Sequence, residues 1–251
     1  MDKSSLYRVF ADLHVPRKPV VLFNVWDAGS ARALADAGAD AIATGSASVA
    51  GALGFPDGEG FPIGLALENA KRIVDAVDLP VTLDFEGGYA VDPEPLSANA
   101  ALAQATGVVG INFEDQIVGG GGLHDIDVQA ARIAAIRAGT GADFWINART
   151  DIFLKARAEA HTSQMVEDAL TRAKAYQEAG GSSLFAPGLR DLALIESLCS
   201  RSPMPVNIMM YPGMATRSEL ASAGVARISH GPFPWLDAMK SLKAAARDAM
   251  A

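Results

Sequence analysis

Short β-type runs alternate with longer helical ones along this chain, and that alternation constrains its fold more than any other feature. Eight runs read as strands: residues 20–23, 41–44, 81–84, 110–113, 144–147, 183–186, 206–209 and 227–229. Helical stretches separate them, at 30–37, 65–77, 96–105, 128–138, 163–179, 189–199 and 218–223. Several stop at a glycine (Gly38, Gly139, Gly180, Gly224), where a left-handed residue ends a helix without steric cost. Strict β-then-α order calls for parallel strands joined by helical crossovers. Eight such units in 251 residues match the size of a (β/α)8 TIM barrel, expected as one domain over residues 1–251. The alternative is an open doubly wound sheet, but no G-x-G-x-x-G follows the first strand to support it. "DAGADAI", "EAGGSSLF" and "SAGVARIS" each run from a helix end through Gly into the next strand, as repeated units do.

Composition narrows the partners. Half of the residues are hydrophobic, enough for one large core. The net charge of −8, with no basic run of five or more residues, argues against nucleic acid and against anionic membrane surfaces. The segment MDKSSLYRVF has no apolar signal region, and the uncharged stretch 41–56 is too short and too weakly apolar to span a bilayer. A single cysteine, Cys199, excludes an internal disulfide framework and suits the cytoplasm. It reads as a buried core residue on a helix face; His14 and His161 read as ordinary surface residues. From Trp235 onward, Trp235, Leu236, Met239, Leu242, Ala246 and Met250 form a helical apolar stripe that packs either on its own barrel or on a neighbouring subunit.

In a barrel of this kind, chemistry belongs at the carboxyl ends of the strands. The third strand ends in Asp84 and Glu86, the fourth in Glu114, and Asp57 lies on the long loop after the second. Carboxylates crowded on one rim repel unless a cation neutralises them. An oxygen-only donor set without a His or Cys cluster favours Mg2+, with Mn2+ as the other candidate, over zinc. Mg2+ takes one or two direct carboxylates and keeps several waters, so most of these acids would act through water. The other reading is that Asp84 and Glu86 are solvated acids at a strand end. Asp151 either orients Arg149 or caps the next helix, capping being the default.

Four segments, "NVWDAGSARALADAGADAIATGSAS", "LDFEGGY", "GINFEDQ" and "INARTD", occur in that order. Through them the chain resembles the isocitrate lyase/phosphoenolpyruvate mutase superfamily, in particular its phosphonomutase-like and 2-oxo-acid lyase members. The resemblance spans about residues 20–231. It implies a (β/α)8 barrel whose last helix is exchanged between subunits of a homodimer or homotetramer. It also implies Asp84 as direct Mg2+ ligand, with Asp57, Glu86 and Glu114 holding metal-bound water. Gly45 and Ser46 would offer backbone donors to a substrate carboxylate. Asp27, with Ser30, would line the pocket, Asn207 would add a polar contact, and Arg149 would bind an acid or enolate oxygen of the substrate.

One departure matters. Isocitrate and methylisocitrate lyases carry K-[KR]-C-G-H in the loop after strand 4, whereas this chain reads "EDQIVGGGGLHDID", without that cysteine and with His124 at a different spacing. Its four glycines read as a flexible lid. The implied activity is a Mg2+-dependent lyase acting on a small 2-oxo or 2-hydroxy (di)carboxylic acid through an enolate. Phosphonomutase or phosphonopyruvate hydrolase chemistry is the alternative, although no Lys or Arg lies between Glu114 and Arg132 to grip a phosphoryl group. A catalytically silent metabolite-binding barrel is the third reading; it predicts loss of acids that this chain keeps.

Overall fold

The computed structural model describes residues 3–251. Its sheet has eight parallel strands: β1 (Val20–Leu22), β2 (Ile42–Ala43), β3 (Val81–Asp84), β4 (Gly110–Glu114), β5 (Trp145–Arg149), β6 (Ser183–Phe185), β7 (Val206–Met209) and β8 (Arg227–Ser229). They run in the order β1-β8-β7-β6-β5-β4-β3-β2, every pair parallel. The seam between β1 and β2 is closed just beyond the strands. Val25 N donates to Ala43 O at 2.8 Å, Gly45 N donates to Val25 O at 3.2 Å, and the Asn24 side chain donates to Thr44 O at 2.7 Å. The result is the expected (β/α)8 barrel.

Among the described residues, ten α-helices surround or cap it: α1 (Lys3–Asp12), α2 (Ala28–Asp36), α3 (Ser46–Ala52), α4 (Ile63–Val74), α5 (Pro93–Ala105), α6 (Ile126–Thr140), α7 (Ser163–Glu178), α8 (Leu192–Arg201), α9 (Arg217–Ser222) and α10 (Phe233–Met250). Local chemistry sets several boundaries. Asp27 and Ser30 form a reciprocal capping box at the start of α2, and Thr216 and Glu219 form another at α9. Two helices were not anticipated. The short α3 lies in a Gly-, Ala- and Ser-rich stretch without helical patterning. Helix α1 covers the amino end of the barrel, where fully buried Phe10 packs edge-on against Trp145 at 5.9 Å. Burying a ring of this size contributes roughly 2–3 kcal/mol.

His14 follows α1 and corrects its surface assignment. It is 5% exposed, and its ring stacks on Trp145 at 4.2 Å. Burial, and then the charge of Arg227, pull its pKa down to about 3. Cys199 is half-buried against the main core, and burial pushes its thiol up to about 12. On α10 only Pro234 is buried, while Leu236, Met239, Leu242 and Met250 are exposed. Trp235 is half-buried, its ring packed against Gly51 of α3, so the barrel covers the start of the apolar stripe and leaves those four side chains uncovered. Among the described residues, no helix is long and apolar enough to cross a membrane.

Candidate active site

The carboxyl mouth of the barrel holds a cavity of about 150 Å3, lined among others by Gly45, Ser46, Asp57, Asp84, Asn112 and Arg149. Asp84 closes β3. Its Oδ2 accepts from the Ser46 amide at 2.9 Å, and its Oδ1 faces Nδ2 of Asn112 at 3.5 Å. Its own amide donates to Oγ1 of Thr44 at 2.8 Å, which ties the end of β3 to the end of β2. Asp57 reaches the cavity from an exposed loop, where partial burial and the Asp84 charge raise its pKa.

Glu86 and Glu114 stand beside this cavity rather than in its wall. Glu86 is 5% exposed, and its Oε2 accepts from the Glu59 amide at 2.7 Å. Burial, then Asp84, push its pKa up to about 8. Burial likewise raises Glu114 to about 7 against the opposing pull of Arg149, with Asp151 and Asp84 adding to the rise. Glu59, Glu86 and Tyr89 all have left-handed backbone (φ 60°, 52° and 58°), so strain gathers around this acid, as it often does at working sites. Gly88, at φ 81°, is obligatory there, because a Cβ would lie 2.3 Å from Leu96 Cδ1.

Arg149 ends β5 with a side chain only 16% exposed. Nη1 pairs with Glu114 Oε2 at 2.7 Å, while Nε and Nη2 grip the two oxygens of Asp151 at 2.6 and 2.9 Å. Burial alone would lower the arginine's pKa, but Glu114 and Asp151 reverse this and raise it. Asp151 is thus an arginine clamp, which corrects the capping default. Asp115, the next acid of the "INFEDQ" run, is an anchor: it accepts from Asp151 N, Tyr176 Oη and Arg172 Nη1.

The other expected residues fall differently. Gly45 and Ser46 line the cavity, but their amides are already engaged by Val25 O and Asp84 Oδ2, so they are not free donors to a substrate. Asp27 is exposed and caps α2, lining a separate groove against α10. Asn207 is fully buried below the cavity, where its Nδ2 donates to Ser229 Oγ at 3.1 Å. The glycine lid is drawn into a narrow loop by the Gln116–Leu123 bridge, and Lys155 donates to Gln116. Four contributors were not singled out from sequence: Asn24, Asn112, Asn147 and Arg227. Asn24 Oδ1 accepts from the amides of His230 and Gly231, which joins β8 to the β1–β2 seam.

Among the described residues, no three His, Cys, Asp or Glu side chains come within joint reach of one ion. A cage of four direct carboxylates is therefore not what this arrangement offers. The donor chemistry instead fits a hard ion on Asp84, with Asp57, Glu86 and Glu114 acting through water. The acids whose pKa values rise from burial and mutual repulsion are the ones such an ion would relieve.

A (β/α)8 barrel with acids and a clamped arginine gathered at its carboxyl mouth defines an enzyme of the barrel class. The chain belongs to the phosphoenolpyruvate phosphomutase family, whose model matches residues 10–250, and so to the isocitrate lyase/PEP mutase superfamily. It is 49% identical to a protein of known crystal structure from Burkholderia cenocepacia J2315, assigned provisionally as a phosphonomutase; the TM-score is 0.96, covering 99% of this chain and 100% of that one. An uncharacterized protein of Mycobacterium tuberculosis H37Rv is 33% identical over 95% of this chain and 87% of its own length. The 2-methylisocitrate lyase of Escherichia coli K12 is 28% identical over 90% of this chain and 78% of its own. A phosphonopyruvate hydrolase structure with oxalate and Mg2+, 19% identical with a TM-score of 0.83, shares the fold over 97% of this chain and 85% of that one.

Proposed function

We propose that this protein is a Mg2+-dependent lyase that cleaves a carbon–carbon bond in a small 2-oxo or 2-hydroxy (di)carboxylic acid. The observation that carries the reading is that Asp84 and Arg149 line one cavity of about 150 Å3, a size suited to such an acid. Asp84 would hold the ion, with Mn2+ suiting the same oxygen donors, and Asp57, Glu86 and Glu114 would order its waters. When bound, the ion supplies positive charge against the enolate left by bond cleavage. Arg149 offers N–H groups to the carboxylate or enolate oxygen of the substrate, and Asp151 and Glu114 hold its guanidinium in place. Asp57, which lines the cavity from the loop at its open mouth, is the acid placed to pass a proton.

Sequence similarity to a 2-methylisocitrate lyase supports carbon–carbon cleavage. Carbon–phosphorus chemistry is less well supported, because Arg149 is the one cationic side chain among the described residues lining the cavity. The oxalate and Mg2+ in the phosphonopyruvate hydrolase structure support the choice of ion. The uncovered stripe of α10 supports exchange of this helix within a homodimer or homotetramer, and the cytoplasm is the compartment we assign. The test is release of pyruvate or another 2-oxo product from a panel of small dicarboxylic acids, with Mg2+, by wild type and Asp84→Ala. Turnover by wild type alone supports the reading, and equal turnover by both proteins refutes it.

A further inference from the structure

Below the cavity, the barrel interior contains a line of polar side chains that no step above employs. Trp145 Nε1 donates to Ser183 Oγ at 2.8 Å, and Ser183 Oγ donates to Asn147 Oδ1 at 2.6 Å. Asn147 Nδ2 donates to Asn112 Oδ1 at 2.7 Å, and Asn112 Nδ2 faces Asp84 Oδ1 at 3.5 Å. The line runs from the amino end of the barrel, where Trp145 meets α1, to the acid at its mouth. Its direction is fixed chemically at both ends, since an indole N–H only donates and a carboxylate only accepts. Both asparagine amides are thereby oriented. Arg227 enters from the side: it is fully buried, its Nη2 donates to the same Asn112 Oδ1 at 3.2 Å, and its Nη1 has no hydrogen-bond partner. Its Nε donates to Ser229 Oγ at 3.2 Å, so neutral oxygens are its hydrogen-bond acceptors. A buried guanidinium that is hydrogen-bonded but has no carboxylate in contact is costly, which makes a purely structural role a poor explanation for it.

We infer that Asn147 and Arg227 are positioning residues: by loading Oδ1 of Asn112 with two donors, they fix its carboxamide so that the N–H side faces Asp84. The inference rests on the proposed function, because the consequence of that placement is a pre-set carboxylate for the ion. Substitutions in such supporting shells typically weaken metal binding 10–100-fold.

The sign of the effect separates positioning from charge. N147D replaces the Nδ2 donor with an acceptor and adds a negative charge; R227M removes a donor and a positive charge. Simple electrostatics predicts tighter Mg2+ binding in both, whereas positioning predicts weaker binding in both. The measurement is calorimetric titration of Mg2+ into substrate-free protein, with kcat and KM on the active substrate. Mg2+ affinity about tenfold weaker in N147D, with kcat reduced and KM within about twofold, supports the inference; unchanged or tighter binding overturns it. R227M repeats the test and decides it should N147D not fold; its Tm is expected to match or exceed wild type because the unpaired cation is gone. Failure of wild type to bind Mg2+ would sink the metal reading alone. Crystal structures of the variants then decide the positioning: a displaced Asp84 carboxylate supports it, and one still held between Ser46 N and Asn112 Nδ2 overturns it.

Discussion

Asp151→Asn separates two roles that an acid just past a strand can play. Asparagine is as good a helix cap as aspartate, so a capping residue would tolerate the change almost without cost. As a clamp, Asp151 contributes two short charge-assisted bonds to Arg149, at 2.6 and 2.9 Å, from a side chain 1% exposed. Asparagine keeps one acceptor and presents an NH2 group to a guanidinium that can only donate. One bond is lost, the other loses its charge, and Arg149 keeps only Glu114 as an anionic partner. Breaking a buried pair in this way costs about 3–5 kcal/mol. For a chain of this length that lowers Tm by roughly 6–20 °C. A freed guanidinium also lowers kcat/KM on the active substrate, by about tenfold or more. Thermal unfolding and steady-state kinetics of the variant check both. A Tm and kcat/KM equal to wild type would refute the clamp.

Two further substitutions test the barrel itself. Because the folded protein holds His14 neutral down to about pH 3 while the unfolded chain protonates near 6.5, wild type loses stability as pH falls through that window. His14→Phe removes the titration, so the wild-type deficit relative to the variant should grow by on the order of 3 kcal/mol between pH 7 and pH 4 in denaturant unfolding; a constant difference contradicts the assignment. Asn24→Ala removes the bonds to Thr44 O, His230 N and Gly231 N at the β1–β2 seam, and should cost about 2–4 kcal/mol and lower Tm by roughly 4–16 °C. An unchanged Tm would show that the seam is held elsewhere.

The alternation of short apolar runs and glycine-stopped helices was enough to read the barrel, because each unit carries its own local signal. The acids Asp84, Glu86 and Glu114 were legible because their strands end visibly in them. What escaped depends on contacts far apart in sequence. His14 sits in a polar-looking stretch and is buried between Phe10 and Trp145, the latter 131 positions on. Asn112, Asn147 and Arg227 lie on strands whose interior and exterior faces look alike until the barrel closes, so an inward arginine reads as an edge charge. Asp151 is two residues from Arg149, but a clamp and a cap share that spacing. Gly45 and Ser46 line the cavity, but their engaged amides are a matter of tertiary hydrogen bonding that no motif records.

Binding of a divalent ion at Asp84 is most directly tested by anomalous diffraction from crystals soaked in Mn2+ and oxalate. A peak about 2.2 Å from an Asp84 oxygen, with oxalate between it and Arg149, is the expected result. A map with no peak in the cavity, or with the ion bound away from Asp84, would contradict the metal mechanism and leave the fold and family standing.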